Sequence, residues 1–259
     1  KQKVVQASTF FGEDIKVALP AGSDIFFTHG KSHDSEIRLA RFLIKEVGRE
    51  SHFLDIGAHF GYFSLLATKL TGSCGLVYSF EPGRLTFDIL RQNTATHAEI
   101  KVFNSAVSAS KGKLQFFEFP IYFSEYNTLD VSQFAEEAWF AKYKPQKIEV
   151  EADTIDNITF DGTFQPDIIK IDVEGAEDQV IKGGQQYLQR HSPIVIMEYL
   201  SVKRNNESHK KAVSNLFSLG YSPAIIVPDG TVENIEVDAL DAYLDKNDLE
   251  SDNIVFRKL

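Results

Sequence analysis

Ile15, Val17 and Leu19 fall at every second position, and Ile25, Phe26 and Phe27 follow across Pro20-Ala21-Gly22. That pattern predicts short strands around a turn. Ile37, Ala40, Phe42, Leu43 and Val47 then recur at helical spacing, with Gly48 as a stop. From His52 the pattern becomes strand, glycine-bearing turn and helix. His52 to Ile56 reads as a strand, Gly57-Ala58-His59-Phe60-Gly61 as the turn, and Leu65, Leu66 and Leu70 as the helix. Gly75 to Phe80 and Ile100 to Val107 read as the next two strands, with a helix through Leu85, Ile89 and Leu90 between them. Gly112 to Phe119 and Lys147 to Ala152 alternate like a paired hairpin. Asp167 to Val173 and Pro193 to Met197 read as core strands, followed respectively by helices carrying Ala176, Val180, Ile181 and Leu188 and carrying Ala212, Leu216 and Phe217. Tyr221 to Val227 and Asn253 to Phe256 close the chain as strands.

Strands alternating with helices of this length imply right-handed crossovers and a doubly wound α/β sheet. Residues 1–50 are expected to pack strands and a leading helix on that core, and residues 51–259 to form the main domain, with an aromatic insertion at about 119–146. Composition narrows the function. The 259 residues carry 27 Lys and Arg against 37 Asp and Glu, a net charge of −10. That balance argues against broad nucleic-acid binding, which needs a basic face for phosphates. Apolar runs such as Ile194 to Met197 are far short of the roughly 20 residues that span a bilayer. No apolar leader follows Lys1, and the absence of an initial Met suggests a trimmed or mature piece. The single cysteine, Cys74, cannot form an internal disulfide, so a reducing cytoplasmic setting is expected. His29 and His33 are four apart without a third partner, and no metal site is expected from them.

Ligands of doubly wound sheets bind beyond the carboxyl ends of the strands, and three motifs fall there. The first is Asp55-Ile56-Gly57-Ala58-His59-Phe60-Gly61. Its glycines permit a tight turn and close approach of a ligand to backbone N–H groups. It lacks the Gly-x-Gly-x-x-Gly of a dinucleotide site. The second is Glu81, which could accept both hydroxyls of a ribose or merely oppose a helix dipole after Pro82. The third is Lys170-Ile171-Asp172-Val173-Glu174-Gly175-Ala176-Glu177. Such an acidic cluster with one lysine is costly at a strand end unless a ligand, metal or ion-pair network uses it.

Together these segments resemble the FkbM-type family of S-adenosylmethionine-dependent methyltransferases. The resemblance rests on Phe53 to Ser64, Phe80-Glu81-Pro82 and Ile169 to Glu177. It extends to Ser35-Glu36, Asn127-Thr128-Leu129 and Glu198. It implies a class I methyltransferase fold, Rossmann-like and doubly wound, with seven strands and the last antiparallel. It also implies S-adenosyl-L-methionine as cofactor. Asp55, Gly57, Ala58, His59, Gly61 and Asp172 would lie along the methionine part and Glu81 with Pro82 at the ribose. Ser105 and Ala106 would border the adenine, and Glu36 would approach from the leading helix.

Methyl transfer is an in-line displacement that needs alignment and dryness, and an alcohol acceptor gains from a base. Asp172 and Glu174 are the expected catalytic acids, followed by His59. The two acids could alternatively hold a divalent cation, but no metal dependence is expected from two ligands. Tyr122, Tyr126 and Trp139, with Asn127, Thr128 and Glu198, are expected to meet the acceptor. The resemblance implies O-methylation of a sugar, glycan or similar polyol. Alternatives are a natural-product or lipid hydroxyl, or a nucleotide-binding module without methyl transfer. An amino-methylase of nucleic acid would carry an Asn/Asp-Pro-Pro-aromatic signature, and no two of the eight prolines adjoin.

Overall fold

The computed structural model describes residues 3–131, 134, 139–140 and 142–258. An antiparallel hairpin opens the chain: β1 (Lys3–Ser8) and β2 (Asp14–Leu19) pair from Lys3↔Leu19 to Ser8↔Asp14. Helices α1 (Ser23–Thr28) and α2 (Asp34–Glu46) follow. Then come β3 (His52–Ile56), α3 (Tyr62–Thr71), β4 (Leu76–Phe80), α4 (Arg84–Asn93) and β5 (Ile100–Phe103). A small sheet is built from β6 (Ser105–Val107), β7 (Gly112–Glu118) and β8 (Gln146–Asp153). The chain returns to the large sheet through α5 (Ile155–Ile158), β9 (Ile168–Ile171), α6 (Glu177–Lys182), α7 (Gln185–His191) and β10 (Ile194–Leu200). It ends with α8 (Glu207–Ser218), β11 (Tyr221–Ile226), β12 (Val232–Asn234), α9 (Leu240–Lys246) and β13 (Ser251–Lys258).

The large sheet runs β12-β11-β13-β10-β9-β3-β4-β5. Strands β5, β4, β3, β9 and β10 are parallel, whereas β13 is antiparallel to both β10 and β11. The expected seven strands are all present, and the short β12 adds an eighth at the edge. Strand alternation feeds two cores. Phe53, Val77, Ile168 and Ile196 face α2, α3 and the opening hairpin, while Leu54, Ile56, Ile169, Ile171 and Met197 face α6 to α9. A mostly parallel sheet must be covered on both faces, which is why its strands read as near-continuous apolar runs.

Local chemistry moved several boundaries. Ile25-Phe26-Phe27, expected as strand, lies in α1; only Ile25 of the three is buried, so the run serves one turn of helix rather than a two-faced strand. The expected strand from 100 to 107 breaks at Asn104, whose amide donates to the carbonyls of Glu81 and Pro82 at 3.0 and 3.1 Å. The expected helix from Ala176 to Leu188 divides at Gly183-Gly184, where a Cβ on Gly183 would lie 2.0 Å from the Ser108 carbonyl. Helix α9 has no counterpart in the sequence reading. Of the expected insertion at 119–146, residues 132, 133, 135–138 and 141 lie outside the described residues.

The chain turns from β3 to β4 and β5 on one side and returns through β9 and β10 on the other. The sheet therefore has its switch point between β3 and β9, and the carboxyl ends of those strands open a crevice.

Candidate active site

Gly57 follows β3 at φ +83°. A Cβ there would sit 1.8 Å from the Asp172 carbonyl. Asp172 itself donates its N–H to the Ile56 carbonyl at 3.0 Å. The two strand ends thus meet backbone to backbone, and only glycine permits it. A cavity of about 380 Å³ opens above this junction, within the size range of small-molecule sites.

Glu81, at the end of β4, lies on its wall. One carboxylate oxygen accepts Gly83 N–H at 2.8 Å and Thr86 Oγ1–H at 2.7 Å; the other accepts His59 N–H at 2.9 Å. Burial pushes this carboxyl up to about 7 despite those donors. Pro82, Ser105 and Ala106 line the same wall, with the apolar surfaces of Phe80, Phe116 and Leu129. Gly57 and His59 close the floor, and Glu36 reaches it from α2. His59 adopts φ +51° and sets Nε2 2.8 Å from Ser124 Oγ. Burial, reinforced by the nearby Lys31 charge, pushes its imidazole down to about 3. The structure thus places His59 on the cavity wall as a neutral ring hydrogen-bonded to Ser124.

Asp172, Glu174 and Glu198 stand at the far end, each offering an oxygen within 4.8 Å of the others. Glu174 sits at φ +54° and Gly175 at φ +98°, a left-handed turn that brings the Glu174 side chain back over the cavity. Burial, then the charges of Glu198 and Asp172, raise the Glu174 carboxyl well above its ordinary value. Burial and Asp172 push Glu198 up to about 8. On top of burial, like charges this close disfavour ionisation of Glu174 and Glu198 together, which is why both carboxyls are raised.

Other expected residues lie elsewhere. Asp55 is buried beneath the floor, accepting Ser64 Oγ–H at 2.6 Å and facing Lys170 Nζ at 3.8 Å. Strand alternation turns its side chain toward α3, so it orders the floor and is no part of the cavity lining. Gly61 is likewise absent from the lining; a Cβ there would lie 2.6 Å from Leu90, so this glycine serves the packing of α3 on α4. Ala58 lines only a narrow side arm. Tyr126 and Asn127 line the cavity, whereas Tyr122, Thr128 and Trp139 do not. Trp139 stacks on Tyr126 at 4.6 Å and on Phe123 at 5.6 Å, backing the wall from behind. Thr128 is fully buried and its hydroxyl donates to the Glu174 carbonyl, tying that turn to the aromatic segment. Lys31, Ser124, Glu125, Ser251 and Asn253 also line the cavity and were not read from sequence. For Asn253 a signal existed, since antiparallel pairing of β10 and β13 sets it opposite Glu198.

The FkbM methyltransferase domain model matches residues 55–223, well over half of the chain. The chain belongs to the FkbM methyltransferase family. It is an S-adenosylmethionine-dependent methyltransferase of class I fold. Among solved structures it is similar to a putative rRNA-methylase from Clostridium thermocellum, at 7% identity and a TM-score of 0.50, covering 88% of this chain and 98% of that one. It is also similar to the methyltransferase FkbM from Methylobacillus flagellatus, at 16% identity and a TM-score of 0.48, covering 91% of this chain and 60% of that protein. Aeropyrum pernix fibrillarin, solved with natively bound S-adenosyl-L-methionine, matches at 12% identity and a TM-score of 0.49 over 99% of this chain and all of its own. No protein of curated function matches the chain significantly.

The cavity suits this cofactor chemically. Glu81 presents a carboxylate acceptor of the kind ribose hydroxyls need, Phe80, Ala106, Phe116 and Leu129 offer apolar surface of the kind a purine needs, and Gly57 adds bare backbone to the lining. Among the described residues no helix is long and apolar enough to cross a membrane.

Proposed function

We propose that this FkbM methyltransferase transfers a methyl group to a hydroxyl oxygen of a sugar, glycan or similar polyol. The observation that carries the reading is the Asp172, Glu174 and Glu198 group, three carboxylates on the cavity lining with oxygens within 4.8 Å of one another. An alcohol is a weak nucleophile, and its O-methylation needs a base whose pKa lies near the working pH. Glu198, at about 8, has such a value. S-adenosylmethionine, when bound, supplies an electrophilic methyl on a sulfonium. Glu198 would take the hydroxyl proton as the acceptor oxygen bonds to the methyl carbon and the methyl–sulfur bond breaks, leaving neutral S-adenosylhomocysteine, with Glu174 beside it on the cavity lining. Lys170, 3.1 Å from Asp172, keeps that acid anchored. Phe80, Phe116 and Leu129 bring apolar surface to the same cavity, which would help keep water from the transfer.

The acceptor side supports a polyol. Tyr126 offers an aromatic face backed by Trp139, and Asn127, Ser251 and Asn253 bring hydrogen-bonding groups to the same wall. The net charge of −10 and the carboxylates lining the cavity disfavour a phosphate backbone as acceptor. A natural-product or lipid hydroxyl fits the same chemistry and is the second reading. The exposed Cys74 is in keeping with a reducing compartment such as the cytoplasm.

The test incubates the protein with methyl-labelled S-adenosylmethionine and a panel of sugars, glycans, amino compounds and lipids. The reading expects label in an ether-linked product of a hydroxyl-rich acceptor. Label only on nitrogen or carbon would overturn it.

A further inference from the structure

Beside Tyr62 and Phe63 lies a narrow arm of about 40 Å³ whose lining shares Lys31, Glu36, Gly57, His59 and Asp172 with the main chamber. Both an ammonium pair and a carboxylate pair face this arm: Lys31 and Lys170, Glu36 and Asp172. Such a mixed constellation fits an α-amino acid end, which carries one charge of each sign. With Asp24 against Lys31 and Asp55 against Lys170, the group holds four carboxylates and two ammoniums. The positive excess of S-adenosylmethionine matches this balance. Its one carboxylate does not, and inside a net-negative arm it needs a cation of its own.

The two lysines are not equivalent. Lys170 is 2% exposed and is held from two sides, by Asp172 at 3.1 Å and Asp55 at 3.8 Å. Lys31 comes from the loop between α1 and α2, where Thr28 Oγ1 donates to the Gly30 carbonyl at 2.9 Å. Its ammonium meets Glu36 at 2.8 Å and stands 3.8 Å from Asp24, and its side chain keeps 20% exposure. It lines both the arm and the main chamber, so it stands where a ligand spanning the two would pass. Burial opposes the Lys31 charge, but Glu36 and Asp24 outweigh it and keep the ammonium protonated.

We infer that Lys31 is the counter-ion of the cofactor's α-carboxylate, with Glu36 and Asp172 receiving the α-ammonium. This rests on the S-adenosylmethionine dependence of the family and assigns a positioning role to a residue outside the strand-end motifs. A cofactor held at its amino acid end is fixed along its length, which aligns the methyl for in-line attack.

The experiment measures calorimetric Kd values of the whole chain for S-adenosylhomocysteine and for its decarboxylated analogue. One charge-assisted pair predicts that the wild type prefers the carboxylate-bearing ligand by about tenfold or more. Lys31→Met should bring the two Kd values within about twofold, or invert them, through loss on the carboxylate ligand alone. Lys31→Arg should keep the preference. Lys31→Gln is read in the same way should the methionine variant fail to fold. A wild type without preference, or a Lys31→Met protein that retains it, overturns the assignment. A wild type that binds neither nucleoside overturns the cofactor reading itself, a distinguishable result.

Discussion

Replacing Glu81 with glutamine probes the ribose end of the site. The carboxylate now satisfies three donors, Gly83 N–H at 2.8 Å, Thr86 Oγ1–H at 2.7 Å and His59 N–H at 2.9 Å. An amide keeps one acceptor oxygen. If that oxygen serves Gly83 and Thr86, the amide NH2 faces His59 N–H, two donors meet, and the buried N–H loses its partner at a cost of about 1–3 kcal/mol in stability. The ribose then loses a charge-assisted acceptor, about 1.5–3 kcal/mol, or roughly 10- to 100-fold in Kd. Burial holds the Glu81 carboxyl at about 7, so the wild-type acceptor is completed as pH rises through that value. Between pH 6 and 8 the wild type should therefore bind S-adenosylhomocysteine up to about tenfold more tightly, and Glu81→Gln should lose that slope. Calorimetry at three pH values, with melting curves to separate loss of fold from loss of affinity, reads both effects. Equal Kd values and equal slopes in the two proteins would refute the ribose assignment.

Gly57→Ala places a Cβ at φ +83° and 1.8 Å from the Asp172 carbonyl, so it should cost about 3 kcal/mol or more and abolish cofactor binding; a normal melting curve would contradict the close packing of β3 on β9. The ligand-free protein should lose stability as pH rises from about 5 to 8. Glu81, Glu174 and Glu198 all have raised carboxyl pKa values, so the folded state binds more protons than the unfolded state across that window. Glu198→Gln should flatten that fall in a melting-temperature series, and an unchanged slope would count against the buried position of Glu198. Once an acceptor is in hand, Glu198→Gln should lower kcat by about 100-fold or more while leaving the cofactor Kd within threefold. A wild-type rate would remove it as the base.

Much of the fold was legible because its signals are local. Strand runs such as His52–Ile56 and Ile194–Met197 are apolar on both faces, and the turns between strands and helices carry glycine where backbone must approach backbone, as at Gly57. Glu81 and Glu174 could be placed on the cavity because they end strands that a doubly wound sheet aligns. What escaped depends on partners distant in sequence. Asp55 occupies a motif position, yet alternation along β3 turns its side chain to Ser64 and Lys170 below the floor. Gly61 sits in the same motif and serves helix packing against Leu90 instead. Lys31 belongs to no motif, and only the fold of the opening hairpin and α1 carries its loop to the cavity. Glu198 was read as an acceptor contact, but its crowding against Asp172 and Glu174 arises from the β9–β10 pairing. The expected strand at Ile25–Phe27 failed because three adjacent apolar residues carry no period of their own.

A crystal structure of the chain with S-adenosylhomocysteine tests the central claim most directly. The account predicts ribose hydroxyls on Glu81, the purine between Phe80 and Ala106, the carboxylate on Lys31, and the sulfur facing Asp172, Glu174 and Glu198. A nucleoside bound away from Glu81, or a sulfur turned from those three carboxylates, would contradict it.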